Sequence, residues 1–351
     1  MYIDYLYLNN FTVFKTLNIE FSKGVNIFIG ENGTGKTHLL KLLYAACKAA
    51  EPQISFPQKL VNCMLPDNYQ ISRLVNRDAK DAKIVISAEE QGLEEKVSTQ
   101  LHFSKHNKKW NATVDDEEEW EQKLNKSNAI FIPAKEILSN CFNLGAAVAM
   151  RNVKFDDTYI DVINAAKIVI NRLPENGVVF EADGGKLLDM IRLENIIGGR
   201  VIYDEQTDSF YIENKGKQME FNLLAEGIRK LALVLKLIQN GAIDKHTVLF
   251  WDEPDANMNP SYISMIAHLL LCLQKEGVQI FLSTHNYMLA KYFEVLKDDS
   301  DTVLYHSLYK TEQGIGYEFG EAFDDLKNNA IINSFDKLLD EIYDMGVSKH
   351  E

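Results

Sequence analysis

Residues 30–37 read Gly30-Glu31-Asn32-Gly33-Thr34-Gly35-Lys36-Thr37, a complete G-x-x-x-x-G-K-T phosphate loop. The three glycines let the backbone curl closely around an anion, because no Cβ blocks the approach. Lys36 brings a positive charge to the β- and γ-phosphates, and Thr37 brings a hydroxyl to a magnesium ion. The stretch therefore predicts a site for a nucleoside triphosphate.

The residues on either side supply the elements that this motif requires. Val25, Ile27 and Ile29 predict a short apolar strand that runs into Gly30. Apolar residues then recur at helical spacing from residue 39 to residue 47, and the start of that helix attracts phosphate. This context disfavours the alternative of a glycine-rich turn with an accidental lysine. We expect ATP to be bound by Gly30, Glu31, Asn32, Gly33, Thr34, Gly35, Lys36, Thr37 and His38.

A second landmark is the apolar run 248–251, which is typical of a buried central strand and ends in Asp252 and Glu253. Ligands of open α/β sheets lie at the carboxyl ends of the strands. Asp252 is therefore expected to support Mg²⁺, together with Thr37, and Glu253 to polarise a water toward the γ-phosphate. Taken alone, the Asp-Glu-Pro sequence is equally compatible with a surface turn that opens a helix.

A third apolar run, 278–282, ends in Ser283-Thr284-His285-Asn286. His285 is expected to donate a hydrogen bond to a γ-phosphate oxygen or to the attacking water. A single histidine near a strand end is more often structural. Its position after the acidic strand and an intervening helix favours the catalytic interpretation.

The order of these motifs resembles that of the ABC-type ATPases of the RecF, SMC and OLD group, which include the AAA_15 and AAA_21 types. Residues 6–11 and 29–33 match the group's opening pattern, and the resemblance covers residues 1–50 and about 220–310. It implies an α/β P-loop fold with a mixed central sheet flanked by helices, an antiparallel β lobe and a helical insertion. It also implies hydrolysis of ATP with Glu253, His285 and Lys36 as catalytic residues.

The resemblance further implies a signature segment at residues 224–230, which caps ATP bound to a second copy of the chain. Ala225 stands where the family usually has a serine, whereas Gly227 and the helix start retain backbone N–H groups. Arg229 or Lys230 would add positive charge, and Asn257 is implied as another contact in trans. The expectation is a head-to-tail dimer or higher oligomer. An ordinary amphipathic helix with a basic first turn is the alternative.

Two family features are harder to place. The strand 129–132 is not followed by the glutamine that senses Mg²⁺ in the family, and Lys135 or Glu136 would have to substitute for it. Phe11 and Phe14 lie near the expected adenine position, although aromatic residues in a short strand are more often part of the core.

The composition favours a cytoplasmic enzyme without membrane contact. The chain has 351 residues, of which 46% are hydrophobic and 25% charged, and no apolar run approaches the length of a bilayer span. Its formal charge of −14 does not indicate DNA binding, although this charge does not exclude a local basic groove. The most basic cluster, 105–110, precedes the acidic run 115–119 and is best explained as a solvated hairpin.

We expect four segments: 1–50 and 221–351 as the two parts of the ATPase domain, 51–128 as a β-rich extension, and 129–220 as a helical and hairpin insertion. Neither a long coiled coil nor room for a nuclease domain is evident, so a nuclease or toxin effector is expected in trans. The leading hypothesis is a motor or sensor ATPase in bacterial phage defence or DNA maintenance. The alternatives are a nucleotide-gated scaffold with little hydrolysis and, less favoured, a P-loop kinase.

Overall fold

The computed structural model describes residues 1–90, 95–150, 153–168 and 193–347. The strands are β1 (Tyr2–Phe11), β2 (Phe14–Glu20), β3 (Val25–Gly30), β4 (Asp81–Glu89), β5 (Lys96–Ser104), β6 (Thr113–Asp115), β7 (Asn128–Ile132), β8 (Arg200–Asp204), β9 (Ser209–Asn214), β10 (Lys217–Glu220), β11 (Thr247–Asp252), β12 (Gln279–Ser283), β13 (Val303–Thr311) and β14 (Gly314–Gly320). The helices are α1 (Lys36–Lys48), α2 (Phe56–Met64), α3 (Glu117–Leu124), α4 (Leu144–Ala149), α5 (Asp157–Lys167), α6 (Glu226–Gln239), α7 (Ile263–Lys275), α8 (Tyr287–Leu296) and α9 (Ala330–Val347).

A six-stranded sheet with the order β14-β13-β3-β12-β11-β7 forms the centre of the molecule. Its strands pair in parallel except for β14, which runs antiparallel to β13. Every residue of β3, β11 and β12 is buried, as expected for strands covered on both faces. The strands expected at 25–29, 248–251 and 278–282 therefore lie side by side, and their carboxyl ends share one edge of the sheet.

The second sheet is antiparallel, with the order β2-β1-β4-β5-β6. Its buried residues alternate with exposed ones, so one face packs inward and the other faces solvent. Helix α1 lies between the two sheets, because Leu39 and Leu43 share one core with Leu8 and Ile84 of this sheet and with Phe250 of the central sheet. Segments 1–50 and 51–128 thus both contribute strands to a single antiparallel sheet.

The opposite face of the central sheet is covered by α6, α7 and α8. Leu231, Ile266 and Leu289 of these helices share a core with Leu249 and Ile280 of the sheet. A mixed central sheet between helices, with an antiparallel β lobe, confirms the fold class expected from the sequence. None of the helices in the described ranges is long and apolar enough to cross a membrane.

Within segment 129–220, β7 belongs to the central sheet as a neighbour of β11. Helices α4 and α5 and the small sheet β10-β9-β8 follow it in the chain. Residues 169–192 of the expected insertion lie outside the described residues.

Candidate nucleotide site

The phosphate loop joins the end of β3 to the start of α1 and depends on its glycines. Gly30, Gly33 and Gly35 have positive φ values of 140°, 82° and 97°. A Cβ at Gly35 would lie 2.5 Å from the ring of Phe14, and one at Gly30 would lie 2.1 Å from the carbonyl oxygen of Leu308. Gly30 and Gly35 are therefore required both by backbone conformation and by space.

Lys36 is folded back into the loop and is only 6% exposed. Its Nζ donates to the carbonyl oxygens of Gly30, at 2.8 Å, and Glu31, at 3.1 Å. Burial lowers the pKa of Lys36 to about 8, although Asp252 and Glu253 act in the opposite direction. A phosphate is a stronger acceptor than a carbonyl, so this ammonium group is placed to exchange its present partners for phosphate oxygens.

Thr37 and Asp252 connect the start of α1 to the end of β11. The Thr37 hydroxyl donates to Asp252 Oδ2 at 2.9 Å and lies 3.2 Å from Oδ1. Ser283, at the end of β12, also donates its hydroxyl to the buried Asp252 carboxylate. One hydroxyl and one carboxylate suit Mg²⁺, which takes few oxygen ligands from the protein and completes its shell with water and phosphate. The donor set thus fits the ion that the sequence predicts here.

Glu253 and His285 follow β11 and β12 at the same edge of the central sheet, and 39% and 36% of their side chains are exposed. His285 Nε2 lies 3.8 Å from Glu253 Oε1. Burial, followed by the charges of Asp252 and Asp255, raises the pKa of Glu253. Burial and the Lys36 charge lower the pKa of His285. A carboxylate with a raised pKa beside a neutral imidazole can accept a proton from water and hold that water in place.

The backbone around Glu253 is held in an uncommon conformation. Glu253 has a φ of +48°, and its N–H donates to the Ser283 carbonyl at 3.1 Å. The Thr284 hydroxyl donates to Asp255 Oδ1 at 2.6 Å and ties the loop after β12 to the loop after β11. These backbone and loop contacts fix the direction in which the Glu253 side chain points.

The remaining expected loop residues fall into two groups. Glu31, Asn32 and Gly33 are exposed at the mouth of the loop, where Glu31 pairs with Lys310 at 2.7 Å. Thr34 is buried, and its hydroxyl donates to the Glu31 carbonyl at 2.9 Å, so this side chain holds the loop. His38, in the first turn of α1, is half-buried, and its pKa is lowered by burial and then by Lys41.

The expected signature segment opens α6, which we call the signature helix. Ala225 is its N-cap and offers no side-chain hydrogen bond. A Cβ on Gly227 would lie 2.9 Å from the Asn257 carbonyl oxygen and 3.2 Å from Met258 Cα. Gly227 therefore lets the signature helix pack directly on the loop after β11 of its own chain. Asn257 itself is exposed, with a φ of +60°.

The two cations expected beside the signature are engaged within the chain. Lys230 is 1% exposed, and its Nζ donates to the carbonyl oxygens of Ala256, at 2.8 Å, and Glu253, at 3.3 Å. The expectation that Lys230 contributes charge to a second copy is therefore wrong, because its side chain is buried beneath the loop that carries Glu253. Arg229 Nε lies 2.9 Å from Glu136 Oε2. Glu136, considered as a substitute for the missing glutamine, is thus the partner of the signature helix.

Phe11 and Phe14 are completely buried, and Phe14 packs against Gly35. The core interpretation is correct for both residues, and a role in stacking on adenine is excluded by their burial. Sequence reasoning also missed Ser283 as a partner of Asp252 and Lys230 as a support of the Glu253 loop. The sequence predicts that Ser283 lies at the end of a strand and that Lys230 lies in the first turns of a helix. It does not predict the direction in which either side chain points.

A phosphate loop at the centre of a mainly parallel sheet, with an acidic strand and a Ser-Thr-His segment beside it, defines an ABC-type P-loop ATPase. The chain belongs to the AAA_21 family, described as "AAA domain, putative AbiEii toxin, Type IV TA system", whose model matches residues 25–290.

RecF proteins are among the relatives found by sequence. The DNA replication and repair protein RecF of Clostridium kluyveri is 42% identical over 69 residues, which are 20% of this chain and 19% of that protein. RecF of Clostridium tetani is 36% identical over 92 residues, 26% of this chain and 25% of that protein. The match therefore spans a fifth to a quarter of the length of these relatives.

SMC head domains are among the similar solved structures. One, bound to the C-winged helix domain of ScpA, has a TM-score of 0.58 at 13% identity and covers 91% of this chain and 98% of that chain. Another, an SMC head domain with an extended coiled coil from Pyrococcus furiosus, is bound to the C-terminal domain of ScpA; its TM-score is 0.54 at 13% identity, and it covers 97% of this chain and 99% of that chain. At these identities the likeness shows the shared fold.

Proposed function

We propose that this protein binds ATP with Mg²⁺ and hydrolyses it to ADP and phosphate. One observation carries the proposal: three segments far apart in the chain meet at one edge of the sheet. Thr37 Oγ1 lies 2.9 Å from Asp252, and His285 lies 3.8 Å from Glu253. A phosphate loop, a magnesium-binding pair and a water-positioning pair are the parts that triphosphate hydrolysis requires.

In the proposed reaction a water attacks the γ-phosphate, and the protein contributes mainly positioning and charge. Glu253 accepts the proton of that water, while neutral His285 donates to the water or to a γ-phosphate oxygen. Lys36 leaves the carbonyls of Gly30 and Glu31 and balances the charge on the β- and γ-phosphates. Mg²⁺, held by Thr37 and Asp252, supplies further charge neutralisation when it is bound.

The proposed assembly is a head-to-tail dimer in which Gly227 and Asn257 of one copy approach the ATP of the other. His285 and Asn257 are exposed and Glu253 is partly exposed, so a second copy can reach them, which supports this arrangement. Two large apolar side chains near the signature helix are also exposed, Phe142 by 64% and Leu223 by 72%. Phe142 follows the turn 138–140, Leu223 ends the turn 221–223, and these two turns lie against each other. We therefore include Phe142 and Leu223 in the proposed interface.

The proposed cellular role is a cytoplasmic motor or sensor subunit in phage defence or DNA maintenance, with a nuclease or toxin effector in trans. The description of the AAA_21 family names a toxin system, and the RecF relatives are named for DNA replication and repair. Both support the role by analogy. We propose the domain organisation that we expect from the sequence. Segments 1–50 and 221–351 form the ATPase domain, segment 51–128 is its extension, and segment 129–220 is its insertion.

Phosphate release by the full chain, compared with that of Glu253→Gln, tests the proposal. We expect the rate to fall about 100-fold or more with ATP binding retained, because only the proton acceptor is lost. Glu312→Gln, in the turn between β13 and β14, serves as a matched control and keeps the wild-type rate. A failure of ATP and Mg²⁺ to bind the wild type would refute the proposal.

A nucleotide-gated scaffold is the second candidate function. Ala225, an N-cap without a side-chain hydrogen bond, favours it, since one contact to a partner's γ-phosphate is missing. Equal and negligible phosphate release by the wild type and Glu253→Gln, combined with ATP-dependent dimerisation in light scattering, would select the scaffold over the enzyme.

A further inference from the structure

The last described helix, α9, leaves the body of the molecule after its first turn. Ile331 and Ile332 pack against the core, and the ring of Phe335 stacks on Tyr287 at 5.0 Å. From residue 333 to residue 344 every position is exposed. The large apolar side chains of this part are exposed by 44% to 72%; they are Phe335, Leu338, Leu339, Ile342 and Tyr343.

These apolar side chains share one face of α9. Their spacing of three and four residues places them in a continuous stripe along the helix. Single exposed apolar residues are ordinary, whereas a contiguous apolar face of this kind marks an interaction surface. The stripe therefore requires a cover that the chain's own described residues do not provide.

The borders of the stripe are acidic. About 3.6 residues per turn put Asp336 along one border and Glu341 along the other. Asp340 and Asp344 lie on the back of the helix with Lys337, which is the one cation between residues 330 and 347. Lys337 Nζ lies 3.9 Å from Glu341, and because this pair is highly exposed it contributes little. The stripe thus offers apolar contacts with one carboxylate on each border, Asp336 and Glu341.

This charge pattern distinguishes three candidates for covering the stripe: a second copy of α9, a membrane and a helix of a partner protein. A second copy of α9, paired antiparallel, sets each border against the same border of its mate, and a parallel pair sets Asp336 opposite Glu341. Both arrangements oppose carboxylates and are destabilised. Helices that lie on membranes are rich in Lys and Arg on their polar face, whereas the polar part of α9 has four carboxylates and a single lysine. Complementary charge comes from a helix whose apolar stripe is bordered by basic residues.

We propose that α9 is a docking helix for a partner protein, and that it binds an amphipathic helix with Lys or Arg along the borders of its apolar stripe. None of the residues assigned to the nucleotide site lies on α9, so the inference stands without the proposed ATPase activity. Binding requires no nucleotide.

The test uses the full chain and a fluorescent synthetic peptide of about 18 residues, or five helical turns. The peptide carries leucine in the a and d positions of a heptad and lysine at the borders. A second peptide carries glutamate at the borders, and a third has the composition of the first in scrambled order. We expect fluorescence anisotropy to report binding at least about tenfold tighter for the lysine peptide than for either other peptide.

Substitutions on α9 locate the binding. Leu339→Ala combined with Ile342→Ala is expected to weaken binding of the lysine peptide at least about tenfold, since two central apolar contacts are lost. Met150→Ala, which removes an apolar side chain that is 72% exposed elsewhere, leaves binding unchanged. Asp336→Lys combined with Glu341→Lys reverses the preference toward the glutamate peptide. Circular dichroism confirms that each variant keeps its fold.

Three results would overturn the inference. The first is equal or absent binding of the lysine and glutamate peptides. The second is self-association of the nucleotide-free chain in sedimentation that Ile342→Ala abolishes, which would identify a second copy as the cover. The third is sedimentation of the chain with vesicles of phosphatidylcholine and phosphatidylserine that the same substitution prevents, which would identify a membrane.

Discussion

The phosphate loop and the signature helix each contain a nearly buried lysine whose ammonium group donates to two backbone carbonyls. Lys36 donates to Gly30 and Glu31 within its own loop, and Lys230 donates to Glu253 and Ala256 across the packing of two elements. Burial lowers the pKa of both. Lys36 lies behind the open mouth formed by residues 31–33, whereas Lys230 lies beneath a loop. The same kind of contact therefore supports a loop at Lys230, whereas at Lys36 we propose that the carbonyls are exchanged for phosphate oxygens.

The largest effect that tests this comparison is expected for Lys36→Ala. The substitution removes the cation that we propose faces the phosphates, and loss of a buried charge contact costs about 2–5 kcal/mol, or roughly 30- to 4,000-fold in affinity. Titration with fluorescent ATP in the presence of Mg²⁺ measures the change. Lys236→Met, a partly buried lysine of the signature helix outside the nucleotide site, is the control and is expected to bind as the wild type does.

Lys230→Met sharpens the comparison, because the loop-support role predicts a different pattern of loss. The loop that carries Glu253 would lose two hydrogen bonds, and the misplaced carboxylate lowers turnover by about 10- to 100-fold. ATP affinity is expected to stay close to the wild-type value, since Lys36, Thr37 and Asp252 are untouched. Separate measurements of turnover and of ATP binding check this. Equal losses in both would assign Lys230 to ligand binding.

The difference between the two lysines also marks how far sequence reasoning extends. The phosphate loop could be predicted from the sequence because glycines, a lysine and a threonine at this fixed spacing are typical of phosphate binding. The strand before it and the helix after it follow from the local periodicity of apolar residues. The contacts of Lys230 with the Glu253 loop and the Arg229–Glu136 ion pair could not be predicted from the sequence. Glu136 is distant in sequence from Arg229, and only tertiary packing decides whether a basic residue of a first turn points to solvent or inward.

The antiparallel sheet illustrates the same limit at the level of the fold. The sequence predicts 51–128 as a β-rich extension without naming the strand that it joins, and in the structure β4 of this segment pairs with β1, which also pairs with β2. Alternation of apolar residues predicts that a strand is half-buried, but it does not name the neighbouring strand. For the central sheet the sequence predicts that the ends of β3, β11 and β12 meet at one edge, because ligands lie at the carboxyl ends of parallel strands, but it does not predict the order of the strands.

Gly227→Ala tests the packing of the signature helix on the loop after β11. The added Cβ would lie 2.9 Å from the Asn257 carbonyl oxygen, and overpacking of this kind costs about 1–3 kcal/mol. We expect a lower temperature of thermal unfolding in scanning calorimetry. Gly145→Ala, where an added Cβ meets nothing within 4 Å, is the matched control and should be neutral or slightly stabilising. A wild-type unfolding temperature for Gly227→Ala would show that the loop moves aside without cost.

The smallest expected effect is a pH dependence of ATP binding that arises from Lys36. Its pKa of about 8 means that the free protein loses this charge as the pH rises above that value. The triphosphate favours the protonated amine, so affinity falls by up to about tenfold for each pH unit above 8, and binding at pH 8 takes up about half a proton. Calorimetry in two buffers of different ionisation enthalpy measures that uptake. Lys36→Arg stays charged throughout, so its affinity is expected to be flat between pH 7.5 and 9. An equally flat profile for the wild type would show that Lys36 is no easier to deprotonate in the loop than in water, and that burial alone does not distinguish it from an ordinary surface lysine.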